Sequence, residues 1–155
     1  MMPNQKEQSE VLRQGLVAGV HTVADAVAWA DEVIVAEPKP DIAVIEVACS
    51  GRRQKADVVA LLRSVPGECD PIAVVRRIMA DMRGALAANP ARGPEIARCL
   101  YRLAMGGDLP EEQFGHEAYV LEDCFDLASS GIGTPAEAIH RLDEYLERHA
   151  WRHEV

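Results

Sequence analysis

Proline and glycine divide this chain into short segments, and inside nearly every segment apolar side chains recur at three- and four-residue steps. That spacing marks one face of a helix, and helices built this way must bury those faces against one another. The clearest case comes last. Thr134-Pro135-Ala136-Glu137 supplies a hydroxyl cap, a proline in the first turn and an acid three residues past the cap, the pattern of a capping box. Ile139, Leu142, Tyr145, Leu146 and His149 follow on one side, so a helix is predicted over 135–150. Thr22 and Asp25 open another in the same way, with Val23, Ala26, Val27, Ala30, Val33 and Ile34 inward. Pro38 forces its end, because the residue before a proline disfavours helical dihedrals.

Asp41 caps a run, 42–48, that its side chains leave open between helix and strand. A lone strand has nothing to pair with in an otherwise helical chain, so a short buried helix is expected. Further helices are predicted near 6–14, ahead of Gly15, and at 54–64, 71–88, 94–105 and 110–129, the last with Gly115 as its weak point and Gly131 as its stop. The expected fold is all-α. It is one compact domain over 1–155 of about eight helices, packed as helix hairpins or a short solenoid-like stack, with the polar first ten residues frayed. Trp29, Val75, Ile78, Leu100, Leu103, Leu121, Phe125, Ile139, Leu142 and Leu146 are expected in or beside its core.

Charge is distributed unevenly. Residues 1–51 carry −5, residues 52–102 carry +5 and residues 103–155 carry −9, giving the net −9 of the whole chain. A surface this acidic disfavours nucleic acid as a partner, since phosphate affinity comes from cations. Arg52, Arg53, Lys55, Arg76, Arg77 and Arg83 read as solvated charges or as partners for the chain's own acids. The N-terminal MMPNQKEQSE lacks the basic-then-apolar pattern of a secretory leader, and the longest stretch without Asp, Glu, Lys or Arg is the eleven residues from Gln14 to Ala24. That is far short of a membrane span, so a cytoplasmic protein with no membrane partner is expected. Cys49, Cys69, Cys99 and Cys124 lie 20, 30 and 25 residues apart with no Cys-x-x-Cys pair, which predicts four reduced, non-catalytic thiols, Cys99 and Cys124 being the slow ones. Arg outnumbers Lys thirteen to three and Ala is abundant, a bias that a GC-rich bacterial genome would produce.

The functional clue is the long stretch from Leu103 to His140, which holds eight acids and no Lys or Arg. Within it, on the helix around 117–128, Ala118, Val120, Leu121, Cys124, Phe125, Leu127 and Ala128 cover most of the circumference. Tyr119, Glu122, Asp123 and Asp126 fall on the narrow stripe that remains. Glu122 and Asp123 are both helix neighbours of Asp126, so like charges repel there by a few tenths of a kcal/mol. A cation relieves such repulsion, and it is supplied by a metal, an internal Arg or a basic partner. If the stripe serves a partner, its acids should be exposed and free of an internal Arg. Trp29, at the edge of its own helix's buried stripe, is a second candidate contact.

No metal set or nucleophile constellation emerges. Glu137-Ala138-Ile139-His140 has the Glu-x-x-His spacing of di-iron bundles but occurs once, and Glu137 is already assigned to a cap. His149 and His153 read as helix-end histidines. Ser129-Ser130-Gly131-Ile132-Gly133 is neither a nucleophile elbow nor a phosphate loop. No cofactor is called for.

Three stretches are similar to small all-helical bacterial proteins of uncharacterised function: Ala28-Trp29-Ala30-Asp31 with Pro38 and Pro40 downstream, Leu100-Tyr101-Arg102-Leu103-Ala104-Met105, and the segment from Tyr119 through Glu122, Asp123 and Asp126 to Ala128. The resemblance implies an all-helical fold and carries no activity. The function expected first is therefore a non-enzymatic acidic binding protein for a basic protein partner, an immunity-type inhibitor being one form. The alternatives are a metal- or carboxylate-dependent enzyme centred on Glu122, Asp123 and Asp126, and a self-associating subunit whose acidic third meets the basic third of another copy.

Overall fold

A computed structural model of the chain describes residues 4–152. The described residues are all-helical, with no strand and nine α-helices. The chain divides into two compact units, Met1–Asp70 and Pro71–Val155.

The first unit holds α1 (Gln5–Ala18), α2 (Val23–Ala36), α3 (Ile42–Ala48) and α4 (Lys55–Arg63). Helix α1 begins within one residue of the sequence reading and runs past its expected end. Of the ten residues expected to fray, the first three lie outside the described residues. The rest begin a capped helix, in which Asn4 Oδ1 accepts the Glu7 N–H at 2.7 Å. Ser9 and Glu10 are buried on it. At the other end the helix runs straight through Gly15 and stops at Gly19, whose φ of 94° suits a residue without Cβ. Gly15 matters for another reason. Its carbonyl accepts the N–H groups of Gly19, Val20 and His21 at 2.9, 2.7 and 3.0 Å. The His21 imidazole lies so close over its Cα that any side chain at this position would collide with the ring.

The Thr22–Asp25 capping box forms as read, and α2 ends before Pro38. Helix α3 resolves the helix-or-strand ambiguity. Asp41 caps it through the Ala43 N–H at 2.8 Å. Ala43, Val44 and Val47 are then brought to one buried side, while Ile42 and Ile45 stay exposed. These residues join Leu12, Leu16, Ala26, Ala30, Val33, Val58, Leu62 and Val65 in the unit's core, with α2 packed on α3 and α1 on α4.

The second unit holds α5 (Pro71–Ala88), a 3-10 turn (Pro90–Arg92), α6 (Gly93–Met105), α7 (Glu111–Phe114), α8 (Glu117–Ser129) and α9 (Pro135–His149). The single helix expected over 110–129 is two, because Gly115 takes φ 66° and ψ −168°, which ends α7 after one turn. The break swings Phe114 into the core, where it is almost fully buried. Its carbonyl accepts the hydroxyl of the equally buried Tyr145 at 3.2 Å. Burial pushes the Tyr145 phenol up to about 12, so the group stays a donor throughout the accessible pH range. Val75, Ile78, Met79 and Met82 from α5, Leu100 and Leu103 from α6, Leu121 and Phe125 from α8, and Leu142 and Leu146 from α9 fill the rest of the core. Ile139 is half-buried beside it. Of the apolar residues expected around the core, Trp29 alone belongs to the first unit.

The end of α9 is fastened by cations. Arg76 donates from Nη1 to the His149 carbonyl at 2.9 Å and stacks over Phe114, and the Trp151 N–H returns to the Arg76 carbonyl at 2.8 Å. The Arg77 guanidinium lies 4.1 Å over the Trp151 ring. His149 itself is wedged between Phe114 and Tyr145, at 5.4 and 4.6 Å between ring centroids. Burial lowers its pKa below the ordinary 6.5, Arg148 and Arg76 lower it further, and Glu117 opposes them. The unfolded chain therefore takes up this proton before the folded one does, and stability should fall as pH drops below about 6.5 toward the lower folded value. His149→Gln is expected to flatten that part of the pH–stability curve. Denaturant midpoints of the variant that still track wild type between pH 7 and 5 would show that His149 is not responsible. The pairing of His149 with His153 concerns a residue outside the described range.

Candidate functional site

Helix α8 carries the acidic stripe. Its buried side is narrower than the helical wheel implied, consisting of Ala118, Leu121 and Phe125. Glu117 in its first turn ties it to α9, taking hydrogen bonds from Arg141 Nε at 3.2 Å and Arg148 Nη1 at 3.3 Å. With Leu121 below and this fork at one end, the outward side chains are held on a fixed frame.

The four stripe residues meet different fates. Tyr119 is 36% exposed, and its position is set by a hydroxyl that donates to the Ala104 carbonyl at 3.1 Å and a ring that meets Tyr101 edge-on at 6.1 Å. Glu122 is turned toward α6 and accepts from Arg98 Nε at 3.3 Å. The expectation of no internal Arg therefore fails at Glu122, because α6 packs on α8 and brings a cation from 24 residues away. Asp123 and Asp126 are exposed and form no ion pair among the described residues.

The helical wheel counts Val120 and Leu127 with the buried side, but they are 42% and 46% exposed. Helical spacing shows where they stand: Val120 is three residues before Asp123, and Leu127 is four residues after it, so all three share one outward strip. Ile132, in the turn after the helix, is also exposed. The sequence contained this strip, but only if Val120 and Leu127 are released from the core. Nothing local says whether a neighbouring helix covers them.

Trp29 is in the first unit and the other four candidates are in the second. It is half-buried on its unit's core, and its indole N–H donates to Gln8 Oε1 at 2.8 Å. That satisfies both its apolar body and its polar tip within its own fold.

Between the C-terminal half of α8 and the start of α9 lies a cleft of about 190 Å³, lined by Leu127, Ile132, Ala138, Cys124, Arg141 and Glu137 among others. Arg141 Nη1 donates to Cys124 Sγ at 3.3 Å. Thr134 caps α9 by accepting the Glu137 N–H at 3.2 Å, and the Glu137 carboxylate makes no hydrogen bond or ion pair among the described residues. His140, its Glu-x-x-His partner, pairs with Glu144 at 3.0 Å. Among the described residues no group of three or more His, Cys, Asp or Glu side chains is placed to hold a metal. No described helix is long and apolar enough to cross a membrane.

No protein-family model, curated protein or solved structure matches the chain. The geometry is thus the ground for any functional reading.

None of the four cysteines is in a disulfide, and their settings rank them. Cys99 is buried and Cys49 exposed. Cys69 is half-buried, and its thiol is pushed up by burial and by the nearby Glu10 charge. Cys124, expected to be as inert as Cys99, instead lines an open cleft. Alkylation of the native protein by iodoacetamide should modify Cys49 first and Cys99 last, with Cys124 well ahead of Cys99. Peptide mass spectrometry over a time course checks the order, and equal rates for Cys99 and Cys124 would contradict the cleft.

Proposed function

We propose that this chain is a non-enzymatic binding protein whose α8 face takes a basic protein partner. One observation carries the reading: Asp123 and Asp126 are exposed, lack counter-ions among the described residues, and share their strip with the exposed apolar side chains Val120 and Leu127. Two unpaired carboxylates repel each other on one helix face, and a partner's cations would relieve that while its apolar side chains cover Val120 and Leu127. The turning of Glu122 toward Arg98 also divides the carboxylate trio that a metal-dependent site would need on one side. Charge of this kind acts mainly on encounter rate and partner choice.

Affinity selection from a library of helical peptides with random residues at every outward position tests the reading. The wild-type protein should enrich Lys and Arg interleaved with apolar residues. Asp123→Asn with Asp126→Asn should weaken the selected peptides roughly three- to tenfold, the effect of two exposed charge pairs. That loss should shrink at high salt. The double variant should fold as stably as wild type, or a few tenths of a kcal/mol more so. Enrichment indifferent to charge would end this reading.

A further inference from the structure

The apolar strip of α8 leads into the cleft: Leu127 is part of both, and the exposed Ile132 stands on the cleft wall. What lines that cleft decides what it can hold. Ala138 is buried, and Cys124 is half-buried. The polar groups are largely spoken for within the protein: Arg141 donates to the Glu117 carboxylate and to Cys124 Sγ, and the Thr134 hydroxyl accepts the cap N–H. The Glu137 carboxylate is left exposed without a counter-ion among the described residues. At about 190 Å³ the space is small for a cofactor-sized ligand and ample for one branched or aromatic side chain.

We propose that the cleft is the anchor pocket of the α8 interface, receiving one apolar side chain of the basic partner while that partner's cations meet Asp123, Asp126 and Glu137. This rests on the binding function proposed above and adds to it the point where affinity concentrates. Interfaces draw most of their energy from a few apolar anchors seated in pockets, with the charged rim setting rate and specificity.

Cys124 allows the pocket to be read without the partner. The native full-length protein is equilibrated with 2-mercaptoethanol and mixed disulfides of 2-mercaptoethanol with N-acyl cysteamines bearing acetyl, isovaleryl, phenylacetyl or succinyl groups. In each exchange the cysteine sulfur bonds to the cysteamine sulfur, and 2-mercaptoethanol leaves as its thiol. Peptide mass spectrometry compares occupancy at Cys124 with that at the exposed Cys49 of the same molecule. Isovaleryl or phenylacetyl should be preferred over acetyl about tenfold more strongly at Cys124 than at Cys49, as burial of a few methylenes requires. Leu127→Ser with Ile132→Ser should bring the Cys124 profile down to that of Cys49. Both positions are exposed, so the helical circular dichroism should not change. The same profile at both cysteines would overturn the pocket, and a preference for succinyl would make it an anion site at Arg141. Because no probe carries a positive charge, either result leaves the charge-based binding function to stand on the peptide selection. An apolar profile at Cys124 combined with charge-indifferent peptides would overturn the basic occupant.

Discussion

Leu121→Ala is expected to destabilise the second unit by roughly 2–5 kcal/mol, the range for a buried leucine whose surroundings only partly collapse into the space left. Leu121 is fully buried at the middle of α8, which packs on α6 and on α9. Relaxation is restrained on two sides. Glu117 is forked between Arg141 and Arg148, and Tyr119 is fixed to the Ala104 carbonyl, so α8 cannot slide freely to fill a void. Val120→Ala, one residue away and 42% exposed, should cost well under about 1 kcal/mol. Urea denaturation of both variants gives the comparison, and similar midpoints for the two would mean that α8 is rotated from the orientation described. The same rotation would remove Val120 and Leu127 from the proposed interface, so this stability measurement also checks the site.

Glu10→Ala should be the most damaging change of a charged residue, at roughly 2–4 kcal/mol near neutral pH. Glu10 is buried on α1 between two cations, with Lys6 Nζ at 2.8 Å and Arg13 also in hydrogen-bond contact. Lys6 reaches further, donating to the Arg63 carbonyl at 2.9 Å at the end of α4. Removing the carboxylate leaves both cations poorly solvated and loosens the attachment of α1 to α4. The lower end of the range reflects the partial exposure that both cations keep, which lets water take some of the charge. Burial on its own would raise the Glu10 carboxyl, but the hydrogen bonds and charges of Lys6 and Arg13 outweigh it and hold the group below its ordinary 4.5. A depressed carboxyl contributes its stability above the unfolded value and loses it as pH falls through the folded one. The gap between wild type and variant should therefore be full at pH 7 and narrow below about pH 4. A gap that stays constant down to pH 3 would mean that lost packing, not the ion triad, is responsible.

Features settled within one helical turn can be read from the residues alone. Thr22, Asp41 and Thr134 cap their helices, Pro38 and Gly131 mark ends, and the all-helical class follows from the apolar spacing. These signals are legible because each donor, acceptor or fixed dihedral acts on residues three or four positions away. The exposure of Asp123 and Asp126 was legible in the same way, from their place opposite Leu121. The remaining features depend on contacts between helices distant in the chain. Glu10, in the polar N-terminal stretch, is buried between the partly exposed Lys6 and Arg13, and α4 supplies a carbonyl for Lys6. Gly15 was accommodated within α1, with the His21 ring taking the space a side chain would need. Glu122 acquired Arg98 because α6 lies against α8, and Val120 and Leu127 were left exposed on the outward strip. A helix's periodicity states which side chains share a face, but whether that face is covered depends on neighbours distant in sequence, and coverage turned an acidic stripe into an acidic and apolar one.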